Sequence, residues 1–245
     1  MTKTEFKLDF NAVDQGTKTV AIIVAAGSAS RMGGVNKQLL KILDTPVIIR
    51  SIRAFSELDC IDGIVIVTKK ESVLEIQKLI KEYGVQKVTD IVEGGDSRAQ
   101  SVINGLTALA DDTDLVLIHD GARPLVTSDI IKDVKSTAEL YGAATCVVPL
   151  KDTVKIIDEI GKVVSTPKRS SLAAVQTPQG FKLSKLKNAI ALFSGDLSHI
   201  TDDCSFLELA GEEVYTVKGS YENIKITTKE DISLAIEILK NRGQQ

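Results

Sequence analysis

The chain has 245 residues, 43% of them hydrophobic and 26% charged, with a formal net charge of −3. That balance is ordinary for a globular protein and excludes a general polyanion-binding surface, so a phosphorylated ligand must meet a local cluster of cations. Aromatic residues make up only 4% and tryptophan is absent, which leaves little to stack single-stranded nucleic acid, and no apolar run reaches the roughly 20 residues of a membrane span.

Cys60, Cys146 and Cys204 are odd in number and widely spaced, with no C-x-x-C pair. They read as reduced thiols of a cytoplasmic protein, and a structural zinc site is not expected. Residues 1–19 are polar and mixed in charge and lack the apolar core of a signal peptide, so they are expected to form a flexible or loosely docked extension. Residues 20–245 then form one domain.

The first strand is expected over 20–24, an apolar run that leads into Ala25, Ala26, Gly27 and a further string of small residues. Such residues let the backbone approach a ligand and offer it N–H groups. Arg31 and Lys37, six positions apart, follow as candidate phosphate ligands. The loop is not the dinucleotide fingerprint G-x-G-x-x-G, because Ala29 and Met32 occupy the later glycine positions. Nor is it a P-loop, since Lys37 sits between Asn36 and Gln38. A nicotinamide-dependent dehydrogenase of similar fold, the alternative from another class, requires the missing fingerprint. A plain strand-to-helix connection with two solvated cations is also compatible with this segment alone.

Further along, Ile48, Ile52 and Phe55 recur at helical spacing, as do Val73, Ile76 and Ile80, and near the end Ile232, Ala235, Ile236 and Leu239. Strands are expected over 61–67, 88–92, 115–118 and 143–148. The alternation implies an α/β fold, a doubly wound and mostly parallel sheet with ligands bound outside the carboxyl ends of its strands. Residues 151–176 break the pattern: Val154 and Ile156 alternate with polar neighbours, Asp158 to Gly161 carries a turn signal, and Val163-Val164 resumes. A hairpin this small has no core of its own. It packs either on a second subunit, as a projecting arm, or on its own domain.

Several loops carry chemistry-bearing residues. Gly94 to Ser101 lies between a strand and a helix, as a second nucleotide loop would, although a glycine turn with a helix N-cap has the same form. His119-Asp120-Gly121-Ala122-Arg123-Pro124 follows a buried strand, which puts Asp120 and Arg123 at the mouth of the crevice. Asp112 and Asp114 precede that strand and read as a solvated acidic loop. Around Lys225, strand alternation is expected to bury Ile224 and Ile226 and turn the lysine the other way. Asp202 and Asp203 read either as supports for Lys225 or Arg31 or as a helix N-terminus.

Taken in order, AAG-x-x-x-RM with NKQ, GGDSRAQS, HDGARP, PLKDTVK, TPKRSSLAAVQTPQGF, ITDD and NIKITTKEDISLA cover nearly the whole chain. In them the chain resembles the 2-C-methyl-D-erythritol 4-phosphate cytidylyltransferase family. The related ribitol-5-phosphate cytidylyltransferases share several of these motifs, but VPLKDTVK and HDGARP look more like the erythritol-phosphate branch. The resemblance implies a Rossmann-like nucleotidyltransferase fold of glycosyltransferase-A type, with an arm at about 150–176 that forms a homodimer. It implies that CTP and a sugar-alcohol phosphate give a CDP-alcohol and pyrophosphate, with Mg²⁺ held mainly by phosphates and no dedicated protein metal site. Arg31, Lys37, Arg169 and Lys225 would be catalytic. Ala25, Ala26, Gly27, Gly95, Asp96 and Ser101 would hold the nucleotide. Asp120 would meet the ribose, the metal or an acceptor hydroxyl, while Arg123, Thr153, Arg169, Thr177 and Lys225 would bind the acceptor, with Thr153 and Arg169 reaching across the dimer into the neighbour's site. No nucleic acid or membrane partner is implied.

Overall fold

In the first strand, β1 (Thr19–Val24), successive side chains point to opposite faces, and both faces are apolar. Val20, Ile22 and Val24 enter one core cluster, and Ala21 and Ile23 enter the other. A strand buried on both sides needs helices on both sides, and the fold follows from that requirement. The computed structural model describes residues 16–27 and 38–243. The calls on Arg31 and Lys37, and on residues 1–15 of the expected extension, lie outside them.

After a small two-stranded ribbon, β2 (Lys41–Ile42) with β3 (Thr45–Pro46), come α1 (Val47–Ser56), β4 (Gly63–Thr68), α2 (Val73–Glu82) and β5 (Val88–Glu93). Helix α3 (Arg98–Thr107) leads to β6 (Leu115–Asp120), and α4 (Ser128–Tyr141) to β7 (Ala143–Pro149). A hairpin, β8 (Ile156–Ile157) with β9 (Val163–Ser165), precedes the long β10 (Ala173–Lys182). The chain closes with α5 (Leu183–Leu192), α6 (Cys204–Leu209), β11 (Tyr215–Lys218) and α7 (Lys229–Asn241).

The main sheet has seven strands in the order β11-β7-β10-β6-β1-β4-β5, and β10 alone runs antiparallel to its neighbours. Helices α1, α2 and α4 pack on one face, through residues such as Ile52, Ile76 and Val134. Helices α3, α5 and α6 pack on the other, through Val102, Leu186 and Phe206. The chain moves outward from β1 to β4 and β5, then crosses back to β6 on the far side of β1. That reversal opens a crevice at the carboxyl ends of β1 and β6, where Val24 pairs with Asp120.

Local chemistry sets the joints. Ser97 caps α3 by accepting the Gln100 N–H at 3.0 Å. Gly142 ends α4 at φ 99°, a left-handed C-cap that glycine adopts without strain. Thr228 and Asp231 form a reciprocal capping box on α7.

Two expectations change. Residues 16–19, assigned to the extension, are docked: Lys18 pairs with Asp112, and the Thr19 N–H donates to Asp62 at 2.7 Å. Residues 223–227 form no strand. Ile226 is fully buried but Ile224 only partly, and the segment is held by the Ile226 N–H donating to the Ala122 carbonyl at 2.8 Å. The spacing had the right inward residue but lacked the neighbouring strand that a ladder requires.

Candidate active site

The carboxyl ends of β1, β5 and β6 supply the floor of a cavity of about 540 Å³, lined by Ala26, Gly27, Gly94, Gly95, Asp96 and Ser101 among others. Close approach of two loops demands small residues here: a Cβ on Gly94 would stand 2.3 Å from the Ala26 Cβ and 2.9 Å from the Ser101 Oγ. Ser101 is buried, donates to the Ser97 carbonyl at 2.8 Å and accepts the Gly95 N–H at 3.1 Å. It therefore fixes the shape of the loop that carries Gly95 and Asp96. Ala25 behaves differently from its neighbours. Its side chain packs into the core, and its N–H donates to the Val67 carbonyl at 2.7 Å, so that N–H is not offered to a ligand.

A second cavity of about 480 Å³ opens beside the first and is lined by Arg123, Gln176, Thr177, Gln179 and Asp202. Arg98, Asp120 and Lys225 face both. Asp120 ends β6, and its carboxylate is shared by three cations: Lys225 Nζ at 2.7 Å, Arg98 Nε at 3.3 Å and Arg123 Nε at 3.7 Å. Burial alone would raise its pKa, but Arg98, then Lys225 and Arg123, outweigh burial and hold the carboxyl well below the usual range. It is ionised at neutral pH.

The backbone beneath Asp120 is pinned by a closed set of hydrogen bonds. Strand β10 changes register between Val175 and Gln179, and this bulge brings Thr177 beneath β6. The Thr177 hydroxyl accepts the Asp120 N–H at 3.0 Å and lies 3.1 Å from His119 Nδ1. His119 Nε2 lies 3.0 Å from the Arg123 carbonyl. A carbonyl only accepts, so Nε2 carries the proton and Nδ1 accepts from Thr177. One neutral tautomer satisfies every partner, and burial pushes the ring's pKa down to about 4. His119 is a strut under the site.

The segment carrying Lys225 is fastened to the same strand. Gln176 Nε2 donates to the Ser220 carbonyl at 2.8 Å, and Asn223 Nδ2 to the Thr177 carbonyl at 2.9 Å. Arg123 Nη1 donates to the Asn223 carbonyl at 2.7 Å.

With this geometry in place, comparison with known proteins is decisive. The family model described as IspD, 2-C-methyl-D-erythritol 4-phosphate cytidylyltransferase, matches residues 19–241. The chain belongs to that family. A relative of that name from Alkaliphilus oremlandii is 46% identical over 93% of this chain and 98% of its own length, and one from Clostridium novyi is 44% identical over 92% and 98%. Among solved structures, the 4-diphosphocytidyl-2C-methyl-D-erythritol synthase of Anaerococcus prevotii superposes with a TM-score of 0.81 at 31% identity, covering 91% of this chain and 96% of its own. The cytidylyltransferase of Thermus thermophilus gives 0.71 at 26% identity, over 92% and 100%. The doubly wound α/β fold and the erythritol-phosphate branch expected from the motifs are those of the family.

Against this family's expected residue set, the structure brings together Ala26, Gly27, Gly95, Asp96, Ser101, Asp120, Arg123, Thr177 and Lys225 around the paired cavities. Thr153 and Arg169 are exposed on and beside the hairpin and line neither cavity, and Arg169 Nη1 donates to the Lys151 carbonyl at 2.7 Å. Asp203 stands at the N-terminus of α6, one of the two readings its sequence allowed, and its carboxylate grips Arg98, while Lys225 pairs with Asp120; Arg31 lies outside the described residues. Asp202 accepts from Gln179 Nε2 at 2.8 Å and from the Ser205 hydroxyl at 2.6 Å. Arg98 is the residue that sequence reasoning missed. Its signal was a cation in the first turn of a helix that has no acid there, a position the helix dipole disfavours.

Proposed function

We propose that the paired cavities bring CTP and 2-C-methyl-D-erythritol 4-phosphate together, the nucleotide beside Gly95 and Asp96 and the acceptor phosphate beside Lys225 and Arg123. An oxygen of the acceptor phosphate attacks the α-phosphorus of CTP, the bond to the β-phosphate oxygen breaks, and pyrophosphate leaves. A phosphate monoester is already ionised at neutral pH, so no general base is needed. Catalysis comes from alignment and from spreading the developing negative charge. The neutral, fully bonded His119 fits a structural part in that scheme.

The observation that carries the reading is the shared wall: three side chains face both cavities, two of them cationic, and the carboxylate between them fixes their positions. Ser101 shapes the cytosine loop, and Thr177 anchors the acceptor side. Arg31 and Lys37 carry the charge of the α-phosphate and the leaving group, on the strength of the family motif. Thr153 and Arg169 complete the acceptor site from a second copy of the chain, gripped by the arm, whose Ile156, Ile157, Val163 and Val164 are all exposed. Cys60, Cys146 and Cys204 form no disulfide, which accords with a cytoplasmic enzyme.

Among the described residues the available donors do not fit a resident divalent metal: no group of three His, Cys, Asp or Glu side chains gathers, and Asp120 is already committed to three cations. Mg²⁺ is read as part of the substrate, arriving with the triphosphate.

The test is pyrophosphate release from CTP by the purified protein with 2-C-methyl-D-erythritol 4-phosphate and, separately, ribitol 5-phosphate. Strong preference for the first is expected. Turnover with ribitol 5-phosphate alone would reassign the acceptor, and turnover with neither would overturn the reading.

A further inference from the structure

Arg98 stands where helix electrostatics disfavour a cation, at the first position of α3, yet it is among the best-anchored side chains of the site. Its Nη1 and Nη2 donate to the two oxygens of Asp203 at 2.9 and 2.8 Å, and its Nε reaches Asp120 Oδ1 at 3.3 Å. One guanidinium thus ties three elements together: the loop at the start of α3, the end of β6 and the N-terminus of α6. Only a planar fork spans two carboxylates in this way, and a lysine cannot. Burial acts to lower its pKa, but Asp203, followed by Asp120, more than compensates, so the charge is permanent.

The division of Asp120 between its neighbours gives this arrangement a purpose. Oδ1 belongs to Arg98 and Oδ2 to Lys225. Without Arg98, the whole carboxylate charge would face Lys225 and Arg123. The ammonium, already 2.7 Å from Oδ2, would then be held more strongly and would offer less charge to an incoming anion. We propose that Arg98 is a positioning residue for the acceptor: anchored on Asp203, it holds one oxygen of Asp120, weakens the hold of that carboxylate on Lys225 and so leaves more of the lysine's charge for the acceptor phosphate. This rests on the reading that Lys225 binds that phosphate. It adds that the nucleotide loop, which carries Arg98, and the acceptor cation are coupled through one carboxylate.

The test is a double-mutant cycle on the full-length enzyme, with KM for CTP and for the acceptor measured by pyrophosphate release. Lys225→Ala examines the underlying reading and should raise the acceptor KM. Arg98→Gln should raise the acceptor KM roughly tenfold while leaving the CTP KM within about twofold, and that effect should largely vanish when Lys225 is already alanine. Arg98→Lys, which keeps a charge near Asp120 but loses the fork, should recover part of the loss. If Arg98→Gln does not fold, Asp203→Asn, which frees the guanidinium from its anchor, should show the same selectivity for the acceptor. A CTP KM that rises as much as the acceptor KM would reduce Arg98 to a brace of the nucleotide loop and overturn the proposal. An undiminished Arg98 effect in the Lys225→Ala background would overturn it too. An acceptor KM indifferent to Lys225→Ala would instead defeat the functional reading beneath it.

Discussion

Replacing Asp120 by asparagine keeps the shape of the site and removes the charge on which three cations depend. The cost follows from what each cation has left. Arg98 retains its fork on Asp203, and Lys225, with 39% of its side chain exposed, retains water. Arg123 is worst placed: only 12% of its side chain is exposed, and Nη1 on the Asn223 carbonyl is its remaining bond. Stranding a fully buried charge costs about 3–5 kcal/mol, and partial exposure brings the expected loss for Asp120→Asn to about 3 kcal/mol. For a domain of this size that is a fall of roughly 6–12 °C in Tm. On the binding mode proposed above, phosphate groups of CTP or of the acceptor return negative charge to these cations. Each ligand should therefore raise the Tm of Asp120→Asn by more than it raises that of the wild type. Turnover should drop by roughly a hundredfold, because the acceptor cations are no longer held in line. Thermal melts with and without each substrate measure this directly. A variant that melts with the wild type, or that gains no extra protection from the substrates, would refute the charge-sharing account of the wall.

Two more expectations follow from particular contacts. His119 has a folded pKa of about 4 against an ordinary value of 6.5, so between those values the unfolded chain binds the extra proton. Its share of the stability is complete above pH 6.5 and is lost as the pH falls toward 4, by about 3 kcal/mol. Urea unfolding across that range should show the slope, and His119→Gln should flatten it; an unchanged slope in the variant would assign the acid sensitivity elsewhere. Gly94→Ala places a methyl group 2.3 Å from the Ala26 Cβ, so the two nucleotide loops must part. It should cost about 1–3 kcal/mol of stability and raise the CTP KM roughly tenfold with little change in the acceptor KM, and an unaltered CTP KM would remove this loop from the nucleotide site.

The frame of the molecule was legible because its signals are local. The apolar run 20–24 of β1 and its parallel neighbours, the helical spacing of Ile48, Ile52 and Phe55, and the small residues at the strand ends each report their own environment. Most of the candidate site could be read as well, because ligand-facing loops follow strand ends in this architecture. The failures concern what sits across the fold. The alternation around Lys225 is genuine, yet a strand needs a paired neighbour, which the spacing does not report. Asp203 and Arg98 are 105 positions apart, and only the packing of α6 and α3 on the same face of the sheet makes them partners. Ala25 matched the nucleotide motif, but its N–H had already been claimed by Val67 in the adjacent strand. Thr153 and Arg169 are a different case: the family motif assigns them to a neighbour's site, and within one chain they lie clear of both cavities.

The wall common to the two cavities also bears on how the site can be blocked. Arg98, Asp120 and Lys225 are seen from either side, and the lysine ends a flexible four-carbon stem with part of its length in solvent. Two weak fragments, one found in each cavity, can therefore be joined by a short tether that passes along this wall. The joined compound would gain the avidity of a two-headed ligand. An anionic group built into that tether would meet the same trio of charges from whichever side it was grown.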